Sequence, residues 1–201
     1  MSGMQQMEIA GGSAGIVHTY GDNTGGTETV PSGSSTVVIE AYAGGGAGGI
    51  ASGGATAGAG GSYGKKTLSV SGGQTFVYGV GLHAPGLPLS DGSTGGNGGP
   101  SATVDTGTGP AIALHATGGA GGPGFSSSAA GGTCTGGDTN TGGFSVTGGV
   151  GTGGAGGGPL GGAGGSPSNQ GSPFGGGGGA GQSSAYNSGA GGVGKVTFTY
   201  S

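Results

Sequence analysis

Glycine is the residue this chain has to accommodate. It fills 65 of 201 positions, in doublets, triplets and one run of five at residues 175–179. Glycine loses more backbone freedom on ordering than any other residue and offers no side chain to bury. Disorder is therefore the first candidate state. Two features argue against it. The net charge is only −4, too small for self-repulsion to hold the chain open. The large apolar residues are also segregated: residues 118–192 hold 33 glycines but only six of the 31 Val, Ile, Leu, Met and Phe. A collagen triple helix needs strict Gly-X-Y and abundant proline. Here the period breaks repeatedly and there are 9 prolines. One ordered state remains. A polyproline II helix has three residues per turn, a rise of about 3.1 Å and no internal hydrogen bonds. Its amides and carbonyls point sideways. Polyglycine chains in that conformation can lie side by side and bond one another, because no side chain blocks the approach. A packed polyglycine bundle is the expectation for the tract; a flexible linker and turn-rich β structure are the alternatives.

Outside the tract, period-two alternation predicts strands. Residues 14–20 (AGIVHTY) put Ile16, His18 and Tyr20 on one face. Residues 27–30 end at Pro31, and residues 36–42 (TVVIEAY) are dense in β-branched side chains. Residues 65–70 direct Leu68 and Val70 inward. After Ser71-Gly72-Gly73, residues 74–81 align Phe76, Tyr78 and Val80. Residues 101–106 carry Ala102 and Val104, and residues 111–117 carry Ile112 and Leu114. The last strand, residues 193–201, turns Val196, Phe198 and Tyr200 one way and Thr197 and Thr199 the other. No helical periodicity of useful length is present. The expected fold is all-β: a sandwich with strands across about 14–117 and 193–201, and a polyglycine-rich insertion over about 118–192. The final strand is expected to return to the sheet begun by the first ones. Two shorter glycine segments, residues 44–61 and 92–99, are candidates to join the same bundle. Residues 1–13 form an N-terminal arm, read either as a frayed terminus or as an assembly contact; residues 14–201 form one domain.

Composition narrows the function classes. Three lysines and no arginine leave no footprint for a phosphate backbone, so nucleic acid is not an expected partner. No run approaches 18 apolar residues, and residues 1–12 lack the basic and apolar regions of a cleaved signal. Neither membrane insertion nor signal-directed export is expected, which points to synthesis in a cytoplasm. Cys134 has no disulfide partner in the chain and is read as a space-filler or surface thiol.

Chemistry-bearing motifs are weak. GxGxxG matches arise by chance in a chain one-third glycine, and none is followed by Lys-Ser/Thr before a helix. His18, His83 and His115 stand far apart in sequence, with no paired carboxylate or cysteine nearby, so no metal site is expected. No nucleophile motif supports a Ser-His-Asp triad. The expectation is a protein without catalytic residues, cofactor or metal. The least polar non-strand segment is Leu82-His83-Ala84-Pro85-Gly86-Leu87-Pro88-Leu89. It reads either as packing under the sandwich or a subunit, or as a contact surface for a protein or receptor. Phe174 and Tyr186 interrupt glycine runs and pose the same choice, recognition tip or helix-terminating plug. The candidate contact residues are thus Leu82, His83, Leu87, Leu89, Phe174 and Tyr186.

Two stretches carry a resemblance. Residues 29–46 (TVPSGSSTVVIEAYAGGG) lead a Val-Pro-x-Gly turn through a strand into a glycine run. Residues 60–76 (GGSYGKKTLSVSGGQTF) place a Gly-Gly-x-Tyr and a Lys-Thr-Leu-x-Val strand before a Gly-Gln-Thr turn. Together with residues 194–200 (GKVTFTY), they resemble the glycine-rich domain of bacteriophage tail-fibre and other virion proteins. The resemblance spans the chain from about residue 14. An aromatic, often Trp, precedes the glycine run in that domain; here it is Tyr42. The layout is also similar to the extracellular glycine-rich domain of anaplastic lymphoma kinase, and the bundle alone to those of phage tail-tip adhesins and springtail antifreeze proteins. The resemblance implies a jelly-roll-like β-sandwich with inserted polyglycine II helices and essentially no α-helix. It implies a virion structural protein, assembled in the host cytoplasm as a tail-fibre, tail-tip or spike component. Partners would be other virion proteins and a host surface receptor, with a homotrimer by analogy with fibres. A capsid decoration protein and an ice-binding or extracellular glycine-rich protein are the rival expectations, the ice-binding one resting on Thr and Ser in stretches such as residues 133–141.

Overall fold

The computed structural model describes residues 15–51, 55–87, 96, 98–124, 127–147, 151–181 and 187–201. Among these there is no helix; ten strands form two five-stranded antiparallel sheets. The strands are β1 (Ile16–Tyr20), β2 (Thr24–Thr29), β3 (Thr36–Tyr42), β4 (Tyr63–Ser69), β5 (Thr75–Val80), β6 (Ala102–Thr106), β7 (Ala113–Ala116), β8 (Cys134–Thr135), β9 (Thr139–Thr141) and β10 (Lys195–Tyr200). One sheet runs β1-β10-β3-β4-β9, the other β2-β5-β6-β7-β8. The last strand does return between the first ones, with Phe198 opposite His18 on one side and Ile39 on the other.

Alternation explains the core. On β3, Val37, Ile39 and Ala41 are buried; on β10, Val196, Phe198 and Tyr200; on β5, Phe76, Tyr78 and Val80. These side chains meet between the sheets together with Val104 and Leu114. Phe76 and Phe198 stack at 6.0 Å between ring centroids, and Tyr20 stacks on Tyr78 at 4.0 Å. Ile112 and Val70 lie just outside their strands but still join the core. Turn chemistry closes the far end: Gly33 and Gly73 have φ of 88° and 83°, which glycine adopts without a Cβ penalty. Three strands escape a period-two reading in whole or in part. β8 and β9, one in each sheet, are too short to alternate and sit inside the glycine tract. The start of β2 is Thr24-Gly25-Gly26, which carries no strand signal of its own.

Besides the short β1–β2 turn at residues 21–23, four longer connections leave the sheets at one end: residues 43–62 between β3 and β4, 81–101 between β5 and β6, 117–133 between β7 and β8, and 142–194 between β9 and β10. Their backbone bonding has a period of three. Ala43, Gly46 and Gly49 donate to the carbonyls of Ser62, Ala59 and Thr56. Gly45 and Gly48 donate to Gly192 and Gly189, and Gly44 to Pro100. The neighbouring segment continues the pattern: Thr56, Ala59 and Ser62 donate to Pro123, Ala120 and Thr117, while Gly58 and Gly61 donate to Gly178 and Gly175. Residues 55–62 touch six segments in this way. They donate to residues 117–123, to Phe144 and to residues 175–178; they accept from residues 43–49, from Gly132, and from Gly154 and Gly157. Residues 43–51 and the described part of 51–62 are buried throughout, so the shorter glycine segment forms the centre of this layer. The approach requires glycine: a methyl at Gly58 would overlap the carbonyl oxygen of Gly46. Most side chains that do fit are methyls, with Ile50 and Val146 the larger buried ones. Ala51, Ala55, Ala57, Ala59, Ala129 and Ala180 cluster with Val146 in a second apolar core.

Candidate functional site

The candidate contact residues divide by position. Leu89 and Tyr186 lie outside the described residues. Leu82 is exposed, two residues beyond the end of β5. His83, half-buried, sets its Nδ1 2.6 Å from Asp22 Oδ2. Leu87 is held by a reciprocal bond: its amide donates to Ser188 Oγ at 2.8 Å, and the Ser188 amide donates to its carbonyl at 3.1 Å. With Gly191 donating to the carbonyl of Ala84, residues 84–87 run along the three-residue spacing of residues 188–191. Residues 84–87 therefore lie against the glycine layer. Among the described residues of the loop, Leu82 is the large hydrophobic side chain left exposed, at 60%.

Phe174 is elsewhere, at the seam between sheet and glycine layer. The chain reverses there through two left-handed residues, Phe174 at φ 65° and Gly175 at φ 99°. A bulky residue in that region is strained. The contacts that hold it are aromatic and cationic: its ring lies 5.8 Å from that of Tyr42, and Lys195 Nζ sits 4.0 Å from its centroid. The ammonium also stands 5.0 Å from the Tyr42 ring, a cation–π pair of faces. Tyr42 packs on Tyr63, whose hydroxyl donates to Glu40 Oε1 at 2.7 Å. Burial pulls the Lys195 ammonium below its usual range, with Glu40 opposing. Burial and the charge of Glu40 push the Tyr42 phenol up to about 12. The Phe174 ring thus packs at the seam, half-buried between Tyr42 and the Lys195 ammonium.

The histidines depart from the sequence reading. Each has a carboxylate: His18 Nδ1 is 2.7 Å from Glu28 Oε1, His83 is paired with Asp22, and His115 Nε2 is 2.7 Å from Asp105 Oδ1. The pairs were invisible in sequence because strand pairing and inter-sheet packing create them. Glu28 is the unforeseen residue. It is 2% exposed, on β2, and faces inward across the sheets. Oε1 accepts from the Tyr200 hydroxyl at 2.7 Å as well as from His18, and Oε2 accepts from the Tyr20 hydroxyl at 2.5 Å. Burial, then the bond to Glu28, raises both phenols. A signal existed: Val30 is apolar and inward, and Glu28 shares its parity on the strand.

Among the described residues no three of His, Cys, Asp and Glu converge on a point where a metal could sit. Cys134 packs half-buried against the core, which raises its thiol. At the pole opposite the glycine layer, Ser69, Val70, Ser71, Gln74, Gly109 and Pro110 line an open depression of about 250 Å³. Exposed large apolar residues are scattered: Leu82, Phe144 and Leu160 on the glycine layer, Val77 on the outer face of one sheet, Ile16 and Val17 on β1. No family model and no curated protein matches this chain.

Proposed function

We propose that this chain is a non-enzymatic structural protein of a bacteriophage virion, a tail-fibre, tail-tip or spike component that forms a rigid surface projection. The observation that carries the reading is the buried, backbone-bonded glycine layer joined to the two sheets. A segment that donates to three neighbours and accepts from three others, stepping every third residue, is what a polyglycine II bundle requires. Together with the two facing sheets it supports a jelly-roll-like sandwich with an inserted polyglycine II bundle. Such a body is stiff without charge or large side chains, which suits a projection. The residues that resemble the virion glycine-rich domain fall where that reading wants them: residues 29–46 carry β3 into the bundle, and residues 60–76 bring β4 out of it. Leu82, beside the rod of residues 84–87, is then the described side chain best placed for contact with a host receptor or another virion protein.

Mass spectrometry of purified particles tests the identity. The chain is expected among the virion proteins, and its absence overturns the reading. Light scattering in mild detergent tests the form. A detergent-resistant trimer is expected for a fibre or spike; a 17.8 kDa monomer that binds preformed capsids would point instead to a decoration protein.

A further inference from the structure

A chain with one cysteine cannot staple itself with a disulfide. Its tyrosines are placed for a different covalent tie. Of the five among the described residues, four stand in ring pairs: Tyr42 with Tyr63 at 4.6 Å and 44°, and Tyr20 with Tyr78 at 4.0 Å and 21°. The second pair is the closer and the more nearly parallel. It also spans the layers, because Tyr20 is on β1 of one sheet and Tyr78 on β5 of the other. Both hydroxyls lie at the Glu28 end of the stack. That of Tyr20 donates to Glu28 Oε2 at 2.5 Å. That of Tyr78 lies over Gly26, which shares a face of β2 with Glu28. Burial, then the charge of Glu28, raises the Tyr78 phenol. With the hydroxyls at one end, the ring carbons ortho to them are brought together across the stack.

We propose that Tyr20 and Tyr78 are a modification site, joined as a dityrosine when the protein meets a one-electron oxidant, such as a haem peroxidase supplied with hydrogen peroxide. Each phenol gives up one electron and its hydroxyl proton. The two phenoxyl radicals then form a carbon–carbon bond through one ortho position each. The hydrogens on those carbons move to the oxygens, which restores both aromatic rings and both hydroxyls. One hydrogen peroxide takes the two electrons and the two protons and leaves two waters. Glu28 selects the ring that is oxidised first. A neutral phenol gives up an electron readily only if its proton leaves with it, and Glu28 Oε2 is within reach of the Tyr20 proton. His18 Nδ1, 2.7 Å from Oε1, offers that proton a further acceptor. Tyr200 donates to the same carboxylate, but the rings beside it are those of His18 and Phe198, so it has no phenol there to couple with. The product ties β1 to the facing sheet and closes residues 20–78 into a loop, the constraint that a disulfide imposes on other chains.

Treatment of the folded full chain with a haem peroxidase and hydrogen peroxide tests it. Under denaturing conditions the expected product has the mass of one chain less two hydrogens, and it shows dityrosine fluorescence. Cleavage after lysine locates the bond, because Tyr20, Tyr42 and Tyr63 precede Lys65 while Tyr78 follows Lys66. A Tyr20–Tyr78 bond holds the two peptides together; a Tyr42–Tyr63 bond stays within residues 1–65. Tandem mass spectrometry of the joined peptides is expected to place the link at residues 20 and 78. Tyr20→Phe and Tyr78→Phe, which keep the stacked rings, are each expected to abolish the joined product, and Tyr42→Phe to leave its yield unchanged. If a variant fails to fold, the mapped link in the parent chain decides. A link found only at Tyr42–Tyr63 overturns the proposal. So does an undiminished yield from Tyr20→Phe, and so do cross-links that appear only between chains or not at all.

Discussion

A carboxylate at 2% exposure needs donors, and Glu28 has three. It joins β1 and β10 of one sheet to β2 of the other. Glu28→Ala would strand two phenols and an imidazole in the interior; the expected loss is about 3–5 kcal/mol in urea unfolding. Tyr200→Phe removes one charge-assisted bond and is expected to cost about 1.5–3 kcal/mol. Asp138 behaves differently, because it lies in solvent. The bond from Lys66 at 2.6 Å, then that from the Thr67 amide, holds its carboxyl below the usual range. A depressed folded-state value contributes stability above the ordinary carboxylate pKa, and that contribution is lost as pH falls through the folded one. Asp138→Asn is therefore expected to lower the urea midpoint at about pH 6 and to match the parent chain at about pH 2. How much of this was legible varies by residue. The faces of Phe76, Tyr78 and Val80 could be counted off from alternation. The partners of His18, His83 and His115 could not, since each pair forms between chain segments that only the fold brings together.

Elements divide along the same line. Strands with β-branched and aromatic alternation, such as β3 over Thr36–Tyr42, are readable because their burial period is in the sequence. The glycine segments have no side-chain period to read; their order is in backbone bonds, and only the doublets hint at close approach. The pairing of residues 43–49 with 56–62 continues the β3–β4 ladder, with every third amide replacing every second. Substitution separates this role of glycine from mere flexibility. Gly58→Ala sets a methyl against the Gly46 carbonyl in a layer that has no slack, and is expected to cost about 1–3 kcal/mol or more. Gly21→Ala meets nothing within 4 Å and has no left-handed φ, so it is expected to stay within about 0.5 kcal/mol of the parent chain. Urea midpoints of the two variants make the comparison.

At the scale of the whole molecule, two cores are stacked end to end: an aromatic one between the sheets and an almost side-chain-free one beyond them. The tyrosines report on the first. Burial raises the phenols of Tyr20, Tyr42, Tyr63, Tyr78 and Tyr200. A raised folded-state value gives stability that is complete below the ordinary tyrosine pKa of about 10 and is lost as pH climbs toward the folded one. Tyrosinate absorbance from these five is expected to appear together with unfolding in an alkaline titration. Ionisation of all of them near pH 10 with the fold intact would contradict the packing described. The stacking also has a direction. β1 begins, and β10 ends, at the pole away from the glycine layer: Ile16 pairs with Tyr200 there, while Lys195 pairs with Tyr42 at the seam. A tether fixed at Gly15 or Ser201 would therefore hold the domain by one pole and present the glycine layer at the other. A load pulling the layer away from that tether runs along β10, whose neighbours β1 and β3 grip it from both sides. Those ladder bonds would be strained in shear, all at once, instead of being peeled one after another.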